Sequence, residues 1–147
     1  MDISKDVIIG FYDNKDWKVW HITDPSLVGK QKEHFYIVVP LTDNKFILLC
    51  LITSQGENKK RFYDSNPLIN YLIKTNKKEL DCLNKDSFID CNQPQFISKT
   101  DLKNKISELK VIDTVISKSL KSKILTSLKK SPAVKPFVKD SINTYIK

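Results

Sequence analysis

The chain has 147 residues and a mass of 17.0 kDa, with 40% apolar and 10% aromatic residues. These values fit one folded domain and exclude wholesale disorder. No stretch reaches the roughly 20 consecutive apolar residues that span a bilayer. The run Val7-Ile8-Ile9 is too short for a secretory signal, so no membrane is expected and the location is read as cytoplasmic.

The net charge of +8 is unevenly placed. Residues 1–98 carry thirteen basic and thirteen acidic side chains, whereas residues 99–147 carry twelve lysines against Asp101, Glu108, Asp113 and Asp140. Such asymmetry points to a polyanion, to an acidic protein partner, or to a solvated lysine-rich face. Arg61 is the only arginine, which argues against bidentate reading of bases or phosphates. Cys50, Cys82 and Cys91 cannot all pair within one chain, and neither their spacing nor His21 and His34 suits zinc. Reduced thiols and no metal are expected. Gly10, Gly29 and Gly56 form no phosphate-cradling loop, so no nucleotide cofactor is expected.

In chain order, residues 7–12 and 17–22 read as strands flanking the turn tetrad Asp13-Asn14-Lys15-Asp16. Residues 34–41 and 45–53 are apolar at nearly every position, as expected of strands covered on both faces, with Asp43-Asn44 turning between them. A loop at Gly56-Glu57-Asn58 leads to a short strand at 61–64, and Pro67 can open a helix over residues 68–73. Residues 87–91 and 95–98 are further short strands, interrupted at Pro94. Trp17 and Trp20 fall on opposite faces of a strand, one for the core and one free to meet a base or a protein surface.

After Ser98 the period changes. Thr100 is the expected N-cap of a short helix reaching Leu109. Val111, Val115, Leu120, Ile124 and Leu128 share one stripe and predict an amphipathic helix of four to five turns, ended by Ser131-Pro132. Pro136 restricts the start of a final helix that carries Phe137, Ile142, Tyr145 and Ile146. The expected class is mainly β with α, a small and mostly antiparallel barrel with a helical C-terminal segment.

Three stretches carry a family resemblance: residues 34–40 (His34 to Pro40), residues 48–55 (ending Thr53-Ser54-Gln55), and residues 86–93 with Phe96 to Leu102 following. Their succession resembles the MazF/PemK family of toxin endoribonucleases. That resemblance implies an SH3-like barrel over residues 1–98, with a helical insertion near 67–84 and the basic helical segment 99–147 packed on it. It also implies a homodimer, an acidic antitoxin, and metal-independent cleavage of single-stranded RNA through attack of the 2′-hydroxyl on the adjacent phosphate. Bare strand edges and an amphipathic terminal helix likewise suggest a dimer.

Carried over by position, the family hydroxyl falls on Thr53, with Ser54 and Gln55 beside it, and the family arginine falls on His34. Phe35 stands where the family has proline. Histidine exchanges protons near neutral pH but lacks the guanidinium fork and its permanent charge. Lys59, Lys60 and Arg61 are the candidates to supply that charge to RNA. Catalytic candidates are therefore His34, Thr53 and Ser54, and RNA-binding candidates are Gln55, Lys59, Lys60 and Arg61. The alternative is a catalytically silent barrel that docks nucleic acid or an acidic protein on its basic C-terminal helices.

Overall fold

Apolar residues at consecutive positions can be buried only if both faces of a strand are covered. The computed structural model describes residues 3–23, 34–54 and 67–144 and shows this covering. The elements are α1 (Lys5–Phe11), β1 (Lys18–Thr23), β2 (His34–Val39), β3 (Phe46–Thr53), a 3-10 helix (Pro67–Tyr71), β4 (Leu72–Thr75), β5 (Ser87–Asp90), β6 (Gln95–Ser98), α2 (Lys99–Lys105), β7 (Glu108–Ile112), α3 (Lys118–Lys130) and α4 (Pro136–Ser141). Among the described residues, seven strands form one antiparallel sheet in the order β4-β5-β3-β2-β1-β7, and β6 also pairs with β3.

Alternation along β2 and β3 divides the core in two. Ile37, Val39, Leu48, Cys50 and Ile52 face Leu120, Ile124 and Leu128 of α3 and Val138 of α4. Tyr36, Val38, Ile47 and Leu49 face Ile9 of α1, Leu102 of α2, and Trp20 and Ile22 of β1. The first of these is called here the α3 face and the second the α2 face. Trp20 is buried on the α2 face while Trp17 packs against the α3 face, so both indoles serve the protein's own core. Because helices cover each face, the sheet does not need to curl on itself to bury its apolar side chains. The expected barrel is not closed: the path runs from an edge at β4 to an edge at β7.

β5 and β6 are two halves of one interrupted strand. β6 pairs with the first half of β3 (Leu49 opposite Gln95) and β5 with its end (Ile52 opposite Ile89), so residues 91–94 interrupt the pairing. The interruption is pinned by buried polar groups. Asp90 accepts from the Asn92 amide (3.0 Å), and the Asn92 side chain donates to the Leu68 carbonyl (2.7 Å) and accepts from the Ser131 hydroxyl (2.7 Å).

Several elements differ from the sequence expectation. Residues 5–11 form a helix instead of a strand: Ser4 caps the Val7 amide, Asp6 sits in the first turn, and Ile9 is buried. The short helix after β6 is capped by Ser98, not Thr100, and stops at Lys105, where the chain turns into β7. The amphipathic helix begins only after Ser117, whose hydroxyl accepts from the Leu120 amide, leaving Val111 in β7 and Val115 exposed. Of residues 67–84 only the 3-10 helix is helical, because Leu72–Thr75 extends the sheet beside β5. The strand expected at 61–64 and Tyr145 and Ile146 lie outside the described residues. No helix among the described residues is long and apolar enough to cross a membrane.

Candidate functional site

His34 opens β2 and Thr53 closes β3. Phe35 stands opposite Ile52, so the antiparallel register one step outward sets His34 opposite Thr53. His34 also pairs with Ile22 on β1, and Thr53 with Phe88 on β5. Side chains that share such a row project from the same side of a sheet, and Ile22 belongs to the α2 face. The imidazole and the hydroxyl therefore lie side by side on that face, both half-buried. Ser54 lies just beyond the strand and is exposed. Gln55, Lys59, Lys60 and Arg61 lie outside the described residues.

A polar track leads away from this pair. The His34 ring lies 6.4 Å from the Tyr36 ring, nearly edge-on at 64°. The Gln95 side-chain amide donates to the Tyr36 hydroxyl at 3.4 Å, and its carbonyl oxygen accepts from the Lys105 ammonium at 3.4 Å. Gln95 reaches the track because β6 sets it beside Leu49, on the α2 face. Lys105 ends the track as an exposed cation in the last turn of α2.

Sequence reasoning missed Tyr36, Gln95 and Lys105. Period-two alternation places Tyr36 on the face of His34 and was available as a signal. Gln95 and Lys105 come from distant parts of the chain, and no local spacing marks them.

The lysines of the C-terminal third divide between the two faces. α2 brings Lys99, Lys103 and Lys105 to the face of His34 and Thr53, whereas α3 carries Lys118, Lys121, Lys123, Lys129 and Lys130 on the opposite layer. Some are engaged locally. Lys123 pairs with Glu79 (3.1 Å), Lys129 donates to the Lys139 carbonyl (2.6 Å), and Lys99 donates to the Tyr12 carbonyl (3.1 Å). Partial burial, and then the neighbouring Lys103, hold the Lys99 ammonium below its ordinary pKa. Among the described residues, no group of three His, Cys, Asp or Glu side chains is gathered to hold a metal ion.

Chemically, the row offers a proton exchanger beside a hydroxyl donor, with a phenol, an amide and a cation extending from it. No family model matches the chain, and no curated protein matches it.

Proposed function

We propose that the protein is a MazF/PemK-like endoribonuclease that cleaves single-stranded RNA without a metal. The observation that carries this reading is the placement of His34 and Thr53 at neighbouring ends of the adjacent strands β2 and β3, one step beyond the Phe35–Ile52 pair and on one face. A base must take the 2′-hydroxyl proton, the leaving 5′ oxygen must receive one, and the phosphorane needs donors and positive charge. The His34 imidazole takes the proton as the 2′ oxygen attacks phosphorus. It returns that proton to the 5′ oxygen as the P–O5′ bond breaks, which leaves a 2′,3′-cyclic phosphate and a 5′-hydroxyl. Thr53 donates to a non-bridging oxygen, and Ser54 stands next in the chain. Lys105, held through Gln95, adds to the charge assigned from sequence to Lys59, Lys60 and Arg61, with Gln55 as a further RNA contact. An acidic antitoxin is the partner this reading requires, and the cytoplasm is its compartment.

The test is incubation of the purified protein with long RNA in EDTA, followed by mapping of the ends. Cleavage that persists in EDTA, and that falls about 10²–10⁴-fold in His34→Ala, is the expected result. Equal rates for wild type and His34→Ala would overturn the site.

A second reading is favoured by the placement of the α3 lysines away from His34. On this reading the open sheet is catalytically silent, and α3 docks on nucleic acid or on an acidic protein. RNA binding without cleavage, lost when the α3 lysines are neutralised, selects this reading over the first.

A further inference from the structure

Aromatic rings offer more than apolar area, because each presents a flat π face on which another ring can stack. Phe46 of β3 and Phe96 of β6 lie nearly parallel, with centroids 4.7 Å apart and an angle of 8° between their planes. Phe137 of α4 continues this row, 5.6 Å from Phe96 and turned by 75°. The inner two rings pack against the core of the α3 face, whereas Phe137 is 55% exposed. Its backbone is nonetheless fixed. Val138 and Ile142 of the same segment are buried, Leu41 bridges to Ile142, and the Ser141 hydroxyl donates to the Phe137 carbonyl (2.8 Å). A ring carried on a fixed backbone loses little conformational freedom when a ligand covers it.

The charges around Phe137 select what covers it. Residues 129–139 carry Lys129, Lys130, Lys135 and Lys139 and no carboxylate, and Asp140 is the one acid of α4. The Lys135 ammonium stands over the Phe137 ring, 6.0 Å from its centroid. Lys129 reaches across from the end of α3 to the Lys139 carbonyl (2.6 Å), which ties the basic end of that helix to α4. A flat ring among cations suits a polyanion that has flat faces of its own. We propose that Phe137 is a stacking platform for an unpaired base of single-stranded nucleic acid, with Lys135 and Lys129 meeting the flanking phosphates. Lys135 is exposed and long enough to exchange the ring for a phosphate as the base arrives. The bases of a duplex already stack on one another and offer the ring no open face. An acidic peptide answers the lysines with carboxylates but leaves the ring uncovered. Because α4 covers the sheet face opposite His34 and Thr53, this platform is separate from that pair. The inference rests on the second reading above, to which it adds the form of the nucleic acid and the ring that receives it, and it requires no cleavage.

Fluorescence anisotropy of the full chain with a labelled oligodeoxyadenylate about ten nucleotides long tests the platform. This probe lacks the 2′-hydroxyl, so the cleavage proposed for His34 cannot consume it. Wild type should bind it at least about tenfold more tightly than an abasic strand with the same number of phosphates, and more tightly than polyglutamate. Phe137→Leu keeps an apolar side chain but removes the flat face, and should weaken binding about tenfold. Phe137→Trp restores a flat ring and should bind within about threefold of wild type, which also shows that the position tolerates substitution. Affinity for a hairpin duplex should be the same in wild type and Phe137→Leu. Equal binding of the intact and abasic strands, polyglutamate binding as tight as the oligonucleotide, or a Phe137→Leu variant that matches wild type each overturns the proposal. If Lys129→Gln with Lys130→Gln abolishes binding while Phe137→Leu does not, the platform falls and the second reading stands. A wild-type protein that binds no probe overturns both.

Discussion

Cys50 and Cys91 sit fully buried where β3 meets the end of β5, while Cys82 is half-buried. A hydrogen bond with Cys50, then burial, then the nearby Asp90 push the Cys91 thiol well above its ordinary pKa. An accessible thiolate attacks thiol reagents, so Cys82 should react first in the native protein. Cys50 and Cys91 should react only after denaturation, and colorimetric thiol counting with and without guanidinium checks this. Asp81 gives a second expectation at the same scale. Its carboxylate accepts from the Thr114 hydroxyl and from the Val115 amide (2.9 Å), which holds its pKa below the ordinary aspartate value, with Lys77 a smaller influence. The unfolded chain then binds the Asp81 proton more readily than the folded one. Stability from this group is present above the ordinary aspartate pKa and is lost as pH falls through the lower folded value. Urea midpoints measured from about pH 5 down to about pH 2 should fall less steeply in Asp81→Asn than in wild type. His34 and Thr53 are candidates at this scale because a resemblance singles them out, and the register of β2 and β3 sets them on one face. Gln95 and Lys105 were not legible, because what unites them with Tyr36 is a strand pairing and a helix position far apart in sequence.

Caps decide where the helices begin. Ser117 accepts from the Leu120 amide (3.1 Å), and Ser98 from the Asp101 amide (3.1 Å), whereas Thr100 is exposed inside α2. Ser117→Ala should cost about 1 kcal/mol and Thr100→Ala less than about 0.5 kcal/mol, both read from denaturant midpoints. The strands β2 and β3 were plain in the sequence because two-sided burial leaves an unbroken apolar run. α1 was misread because Val7-Ile8-Ile9 is β-branched and suits a strand, and its burial against α2 and β1 overrides that preference. β7 was hidden for a related reason. Leu109, Val111 and Ile112 fit a helical stripe as well as a strand, and only the free edge of β1 decides between them. β4 was similarly absorbed into an expected helix, since Leu72 and Ile73 continue the apolar run of the 3-10 turn.

For the molecule as a whole, the division of lysines between two faces makes the binding surface separable by substitution. Deleting residues 132–147 would be a poor test of charge, because Val134, Val138 and Ile142 are buried and Ile142 bridges to Leu41. Neutral substitutions are cleaner. If single-stranded RNA lies on the face of His34, Lys103→Gln with Lys105→Gln should weaken binding and flatten the salt dependence by about 0.7 per lost phosphate contact. Lys118→Gln with Lys121→Gln should then have little effect, and titrations at several salt concentrations distinguish the two cases. The pairing of β1 with β7 has a kinetic consequence of its own. β2 and β3 are joined by a short turn and can zip together locally, but Val19 must wait for Ile112, which lies most of the chain away. Distant partners close slowly because the intervening chain must first be ordered. β1 should therefore spend the early stages of folding with one side bare. Leu109→Ala should chiefly speed unfolding and leave the refolding rate nearly unchanged, whereas Leu49→Ala should slow refolding.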